Sequence, residues 1–121
     1  MTTLNLSTTN INEYTVDDLK TIKAAALQHA NDAAVAYMEQ HGEHAYCGFA
    51  WVNIYGVKGN TKIGKALKAA GVSQDYTRSF QLWNPSKYPT QNVDTLLAGA
   101  RAAAEVFKRY GFEAYAGSRL D

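Results

Sequence analysis

Between residues 16 and 40 apolar side chains recur every three or four positions, at Leu19, Ile22, Ala26, Ala30, Ala33 and Tyr37. That period predicts a helix, roughly Val16 to Gln40, with one buried stripe. Thr15 and Asp18 stand where a capping box would open it, with Asp in place of the usual Glu or Gln. Gly42 is placed to end it. Most of the stripe is alanine, and such small side chains let a second element approach closely.

Residues 45–55, AYCGFAWVNIY, are aromatic and branched and read as a strand. Both alternating sets are largely apolar: Tyr46, Ala50, Val52 and Ile54 on one side, Cys47, Phe49 and Trp51 on the other. A strand apolar on both faces is expected to be central and covered on both sides. GVKGN breaks it. Residues 61–70, TKIGKALKAA, predict a short helix with Thr61 as N-cap and Gly71 just beyond its end. Its buried stripe is Ile63, Ala66, Leu67 and Ala70, with Lys62, Lys65 and Lys68 on the other side.

Residues 75–84, DYTRSFQLWN, read as a strand or hairpin around Phe80 and Leu82, and PSKYPT as a loop. A last helix follows, capped by Asn92 or Thr90, with Val93, Leu96, Leu97, Ala100, Ala104 and Phe107 in register and Gly111 as its stop. FEAYAG, residues 112–117, closes the chain as a strand. The expected fold is α+β: three helices packed on a small mixed sheet of three to four strands, in the order α-β-α-β-α-β. Residues 1–121 make one domain, with 1–12 a flexible or loosely packed segment.

Composition changes this picture little: 46% hydrophobic and 19% charged residues suit an ordinary globular chain. The first residues lack the basic and apolar regions of a signal peptide, and no apolar run approaches membrane-spanning length. One cysteine, Cys47, rules out an internal disulfide and suits a reducing cytoplasm. Net charge is +1, but residues 1–56 carry two Lys against six acids, while residues 57–121 carry ten Lys or Arg against five. This asymmetry suggests a basic face and an acidic one, provided the two halves do not interleave in space.

Three readings compete for the glycine- and lysine-rich centre. GNTKIGKA, Gly59 to Ala66, has the G-x-x-x-x-G-K spacing of a phosphate-binding loop between a strand and a helix. Ala66, however, stands where a hydroxyl would hold magnesium, and no later strand ends in a second magnesium-anchoring aspartate. KALKAAGVSQDYTRSFQLW resembles the bacterial and phage helix-turn-helix pattern, which would aim Gln74, Thr77 and Arg78 at the major groove. It departs from that pattern at Leu67 and Thr77, and YTRSFQLW has the composition of a strand. The third reading is a basic and aromatic binding face. Lys58, Lys62, Lys65, Lys68 and Arg78 would neutralise phosphates, while Tyr55, Tyr76 and Trp83 would stack on bases. A plain solvated helix face beside core aromatics is the alternative.

His41, His44 and Cys47 have ligand chemistry, but only three ligands are local and Gly42 interrupts them. Exposed helix-end histidines and a buried thiol are expected instead, with no metal and no cofactor. His29 stands alone, there is no G-x-S-x-G elbow, and no carboxylate pair is set for acid–base work. No enzyme activity is therefore expected.

CGFAWVNIYGVKGNTKIGKALKAAG, LWNPS and YGFEAYAGSRLD, within residues 47–121, resemble a group of small uncharacterised proteins encoded by tailed bacteriophages, including phages of cyanobacteria. The group brings no established activity, so no catalytic residues carry over. The resemblance implies host cytoplasm and roles in genome handling, host takeover or anti-defence. The leading expectation is a small binding protein that contacts nucleic acid, or a host nucleic-acid-handling protein, through its basic helix. The alternative is a protein–protein inhibitor or virion component that touches no phosphate, and a helix-turn-helix or nucleotide-binding protein comes third. The alanine-rich helices could also pack on a second copy. Because Ala66 removes the magnesium hydroxyl, purified protein is expected to show no magnesium-dependent ATP or GTP hydrolysis. Turnover that disappears in Lys65→Ala would contradict this.

Overall fold

The computed structural model describes residues 10–42, 46–75 and 78–120. After a 3₁₀ turn at Ile11–Glu13 come α1 (Val16–His41), β1 (Gly48–Tyr55), α2 (Lys62–Ala69), β2 (Ser73–Gln74), β3 (Phe80–Trp83), α3 (Val93–Arg109) and β4 (Glu113–Leu120). Of the segment expected to be loose, residues 1–9 lie outside the described residues, while Ile11 packs against the core. No helix among the described residues is long and apolar enough to cross a membrane.

The fold is α+β, and two details of the expectation change. The four strands form one sheet in the order β2-β3-β1-β4, and every pairing is antiparallel rather than mixed. The segment expected after α2 as a strand or hairpin is a hairpin whose first strand starts earlier, at Ser73, so β1 to β4 run β-α-β-β-α-β with β3 inserted between β1 and β2. Among the described residues between α2 and β3 no recognition helix is present, and Ser73 and Gln74, where one would begin, are a strand. The turn at Gly71-Val72-Ser73 leads into a strand because Ser73 and Gln74 pair with Gln81 and Phe80.

Local chemistry sets the helix ends. In α1 the capping box forms reciprocally: Asp18 N–H donates to Thr15 Oγ1 at 3.1 Å and Thr15 N–H to Asp18 Oδ2 at 2.9 Å. Asn92 caps α3 by accepting from Asp94 and Thr95 N–H, at 3.0 and 3.3 Å. Its amide also donates to the Gly42 carbonyl at 3.3 Å, tying the end of α1 to the start of α3.

α1 lies along α3, and α3 packs on β1 and β4. The buried residues of α1 are Leu19, Ile22, Ala26, Ala30 and Ala34, so the helix interface passes through Ala34 and not Ala33. From Ile22 onward it follows the i+4 ridge, the row that interdigitates in the commonest helix packing. α3 answers with Gly99. A Cβ at Gly99 would stand 2.7 Å from Ser86 Cβ and 3.1 Å from the Ala30 carbonyl oxygen, so backbone approaches backbone there.

One hydrophobic cluster joins these helices to Ala50, Val52 and Ile54 of β1, Phe80 and Leu82 of β3, and Ala114 of β4. A covered second face of the sheet is the expectation that fails. β1 alternates buried Gly48, Ala50, Val52 and Ile54 with exposed or half-buried Phe49, Trp51, Asn53 and Tyr55. Tyr46, grouped with the inward set, is exposed at 78%, and Cys47 is exposed instead of a buried thiol.

Tyr14 closes the core at the far end of α3. It is 1% exposed, and its hydroxyl donates to the Tyr110 carbonyl at 2.7 Å. Burial above all, then the neighbouring Tyr110 and Asp18, raises its pKa above the ordinary tyrosine value. The folded chain therefore holds the phenolic proton more tightly than the unfolded chain does. The stability this contributes is complete below about pH 10 and is lost as pH rises through the raised folded value. Tyr14→Phe is expected to lose about 1 kcal/mol at neutral pH, from the missing hydrogen bond. Its melting temperature should then fall less steeply than the wild type's above pH 10. Parallel alkaline slopes in thermal melts would refute this.

Candidate nucleic-acid interface

β1 ends at Tyr55, and the chain turns through Gly56 and Gly59 into Thr61, the N-cap of α2. Thr61 Oγ1 donates to the Lys58 carbonyl at 2.6 Å and accepts from Gly64 N–H at 3.1 Å. A Cβ at Gly64 would collide with that same Lys58 carbonyl and with Gly59 Cα. The spacing that suggested a phosphate-binding loop thus has a packing cause: Gly64 lets the loop fold back on the first turn of α2.

This fold-back shapes an open cleft of about 800 Å³, lined by Val57, Lys58, Gly59, Asn60, Lys65, Lys68, Gln74 and Arg78. Four of the five predicted cations converge here. Lys65 and Lys68 stand one turn apart on the exposed face of α2, and Lys68 Nζ donates to the Gly59 carbonyl at 3.2 Å. Lys62 is exposed but lines a neighbouring groove with Tyr14, Thr15, Val16 and Ala69, and Lys65 stands between the two and lines both. A three-residue step falls about 60° short of a full turn, so Lys62 and Lys68 point roughly 120° apart. Among the described residues no carboxylate lines the cleft, and none of the four cations pairs with one.

Arg78 reaches the cleft from the β2–β3 turn. Asp75 N–H donates to the Ser79 carbonyl and Arg78 N–H to the Asp75 carbonyl, both at 2.9 Å. Gln74 Nε2 donates to the Arg78 carbonyl at 2.8 Å. Arg78 has φ 69°, a left-handed conformation normally given to glycine. Tyr76 and Thr77, the first named for stacking and the second for groove contact, lie outside the described residues.

Tyr55 and Trp83, the other two stacking candidates, stand on the uncovered face of the sheet. The cross-strand register adds Phe49, Trp51, Asn53, Gln81, Tyr115, Gly117 and Arg119 to that face, none of which the sequence pattern marks as a site residue. Phe49, Tyr55, Trp83 and Tyr115 are 41%, 42%, 47% and 49% exposed. The two indoles lean across the strands. A Cβ at Gly117 would lie 2.7–3.0 Å from Trp51 ring atoms, so the glycine seats the ring. Trp83 lies 4.7 Å from Trp51, ring centre to ring centre, with 31° between the planes.

Amides hold the indoles. Trp51 Nε1 and Gln81 Nε2 both donate to Asn53 Oδ1 at 3.1 Å, and Trp83 Nε1 donates to Gln81 Oε1 at 3.0 Å. Cations edge the face, with the Arg119 guanidinium 5.5 Å from the centre of Phe49 and Lys108 Nζ 5.0 Å from that of Tyr115. One signal in the sequence could have marked this face: Phe49, Trp51, Tyr55 and Trp83 interleave with Asn53 and Gln81, amides that a doubly covered strand would have to satisfy internally.

Among the described residues no group of three or more His, Cys, Asp or Glu is placed to hold a metal ion. His41 is exposed at the end of α1, its ring 4.3 Å from that of Tyr37, and His44 lies outside the described residues. Comparison with protein-family models, curated proteins and solved structures gave no match.

Arg78 carries backbone strain as well as charge, and Arg78→Gly separates the two. The fold should keep its stability, or gain up to about 1 kcal/mol from the relieved left-handed backbone. A melting temperature several degrees lower would show that the Arg78 side chain, and not its backbone, holds the turn together.

Proposed function

We propose that this protein is a non-enzymatic nucleic-acid-binding protein that holds phosphates in the cleft between the β1–α2 loop, α2 and the β2–β3 turn. The observation that carries the reading is the convergence of Lys58, Lys65, Lys68 and Arg78 on one cleft without a carboxylate among its lining residues. Like charges held together oppose folding mildly, by a few tenths of a kcal/mol per helical pair. An anionic partner reverses that sign. Lysine and arginine neutralise phosphates and release condensed counterions, so affinity from such a cleft is salt-dependent. A host cytoplasm during phage infection belongs to the same proposal, and rests on the resemblance of residues 47–121 to phage-encoded proteins.

The test replaces Lys58, Lys65 and Lys68 by Gln together and measures oligonucleotide binding across a salt series. The slope of log affinity against log salt should fall by about 0.7–0.9 for each phosphate that is no longer neutralised. Lys62→Gln, which changes the neighbouring groove, should alter the slope less than any one of the three. A wild-type protein without salt-sensitive binding to DNA or RNA would end this reading.

A further inference from the structure

We infer that the uncovered face of the sheet is a base-stacking platform, which makes the protein a binder of single-stranded nucleic acid. The inference rests on the nucleic-acid reading of the cleft and adds a second surface to it. Aromatic side chains turned to solvent on a sheet face could be covered by many things, and three observations favour unpaired bases.

The first is ring presentation. Both indole N–H groups are spent on Asn53 and Gln81 within the face. The rings are thus held without an outside partner and leave π surface to solvent. Stacking on that surface tolerates any base, since every base has a π face. The second is charge. Arg119 stands over Phe49, at the rim where a sugar–phosphate backbone would pass, while Lys108 stands over Tyr115 and is also paired with Glu105 of α3 at 3.5 Å. Glu113, paired with Tyr55 across β1 and β4, is the one carboxylate in register with the face among the described residues, and it sits at the β4 side of the Tyr55 end. It would turn a polyanion away from β4 there and toward β3 and β2.

The third observation is continuity. The Tyr55 end of β1 runs into Val57 and Lys58, and the start of β3 follows Arg78, so the cleft opens at the Tyr55 end of the platform, on the helix side of the sheet, where Gln74 lies in register with buried Phe80. From Phe49 to Tyr55 the face runs about 20 Å, room for two or three splayed bases. A strand entering by Arg119 would stack across Phe49, Trp83 and Tyr115 and then pass round the Tyr55 end of the sheet to leave its next phosphates among Lys58, Lys65, Lys68 and Arg78. A duplex has its bases stacked inside and cannot use the platform, so discrimination between single and double strands follows.

The chain has two tryptophans, Trp51 and Trp83, and both are on this face. Intrinsic fluorescence therefore reports on the platform and not on the cleft. The probe is a 12-nucleotide oligothymidylate, compared with a 12-base-pair duplex and, for RNA, with oligouridylate. Fluorescence should be quenched by the single strands and little changed by the duplex. Single-strand affinity should exceed duplex affinity by at least tenfold. The double variant Trp83→Leu/Tyr115→Leu keeps apolar residues at strand positions and removes two rings. It should lose about a hundredfold in single-strand affinity while duplex affinity holds, which circular dichroism and an unchanged melting temperature would separate from unfolding. Single Phe49→Leu, with about a tenfold loss, guards against a double variant that does not fold.

Equal affinity for single strand and duplex, without quenching, overturns the platform and leaves the phosphate cleft standing. Salt-insensitive or undetectable binding of every probe overturns both. Concentration-dependent self-association that the leucine variants abolish would assign the face to a second copy of the chain and overturn the platform as well.

Discussion

The packing of α1 against α3 decides how the rest of this molecule is arranged. Its stripe on α1 is the buried Ala26, Ala30 and Ala34, and on α3 Gly99 meets Ala30. Residues this small bury little area each. What they permit is close approach of two backbones, and with it many short-range dispersion interactions along a ridge. Ser86 and the Ala30 carbonyl fill the space a side chain at Gly99 would take. The longest helix is spent on another helix, and the third, α2, is eight residues long. All of the helical surface thus gathers on one face of the sheet, and a two-layer domain results.

An uncovered sheet face must hold its own side chains in order, and this one does so with cross-strand pairs. Trp51 opposes Trp83 on one side and Gly117 on the other; Asn53 opposes Gln81 and Tyr115. Such pairs contribute roughly 0.2–1 kcal/mol each, enough to fix rotamers without a covering layer. Asn53 Oδ1 accepts two hydrogen bonds and so sets where both Trp51 and Gln81 point. The sheet's outer edges are blunted by other means. β2 has only two residues, and β4 alternates Glu113 and Arg119 with its aromatic.

The legible parts of the fold were those with a local cause. Thr15 with Asp18, Thr61, and Asn92 mark helix starts through bonds to residues two or three positions away, and each forms in the structure. The lysines of α2 follow from helical period alone. What period could not decide was which parity of β1 faces the core. Phe49 and Trp51 are as apolar as Val52 and Ile54, and hydrophobicity reports a preference for burial without reporting what is available to cover it. The same gap misplaces Cys47 and Tyr46. Ala33 stands in for Ala34 because an average of 3.6 residues per turn describes an isolated helix, whereas a helix packed along an i+4 ridge advances by fours. Arg78 reaches the cleft only through the β2–β3 pairing, and a tertiary pairing is not written in any window of the chain.

The cationic cleft and the aromatic face share one end of the sheet because of strand order. With β3 between β1 and β2, the exit of β1 and the turn between β2 and β3 lie at the same end of the sheet. The first supplies Lys58, the second Arg78, and α2 between them supplies Lys65 and Lys68. An antiparallel sheet ordered β1-β2-β3 would have put the β2–β3 turn at the opposite end from the exit of β1 and divided these charges. The connectivity that leaves one face of the sheet bare therefore also brings four cations to the end of that face. The proposed binding of single-stranded nucleic acid draws on both.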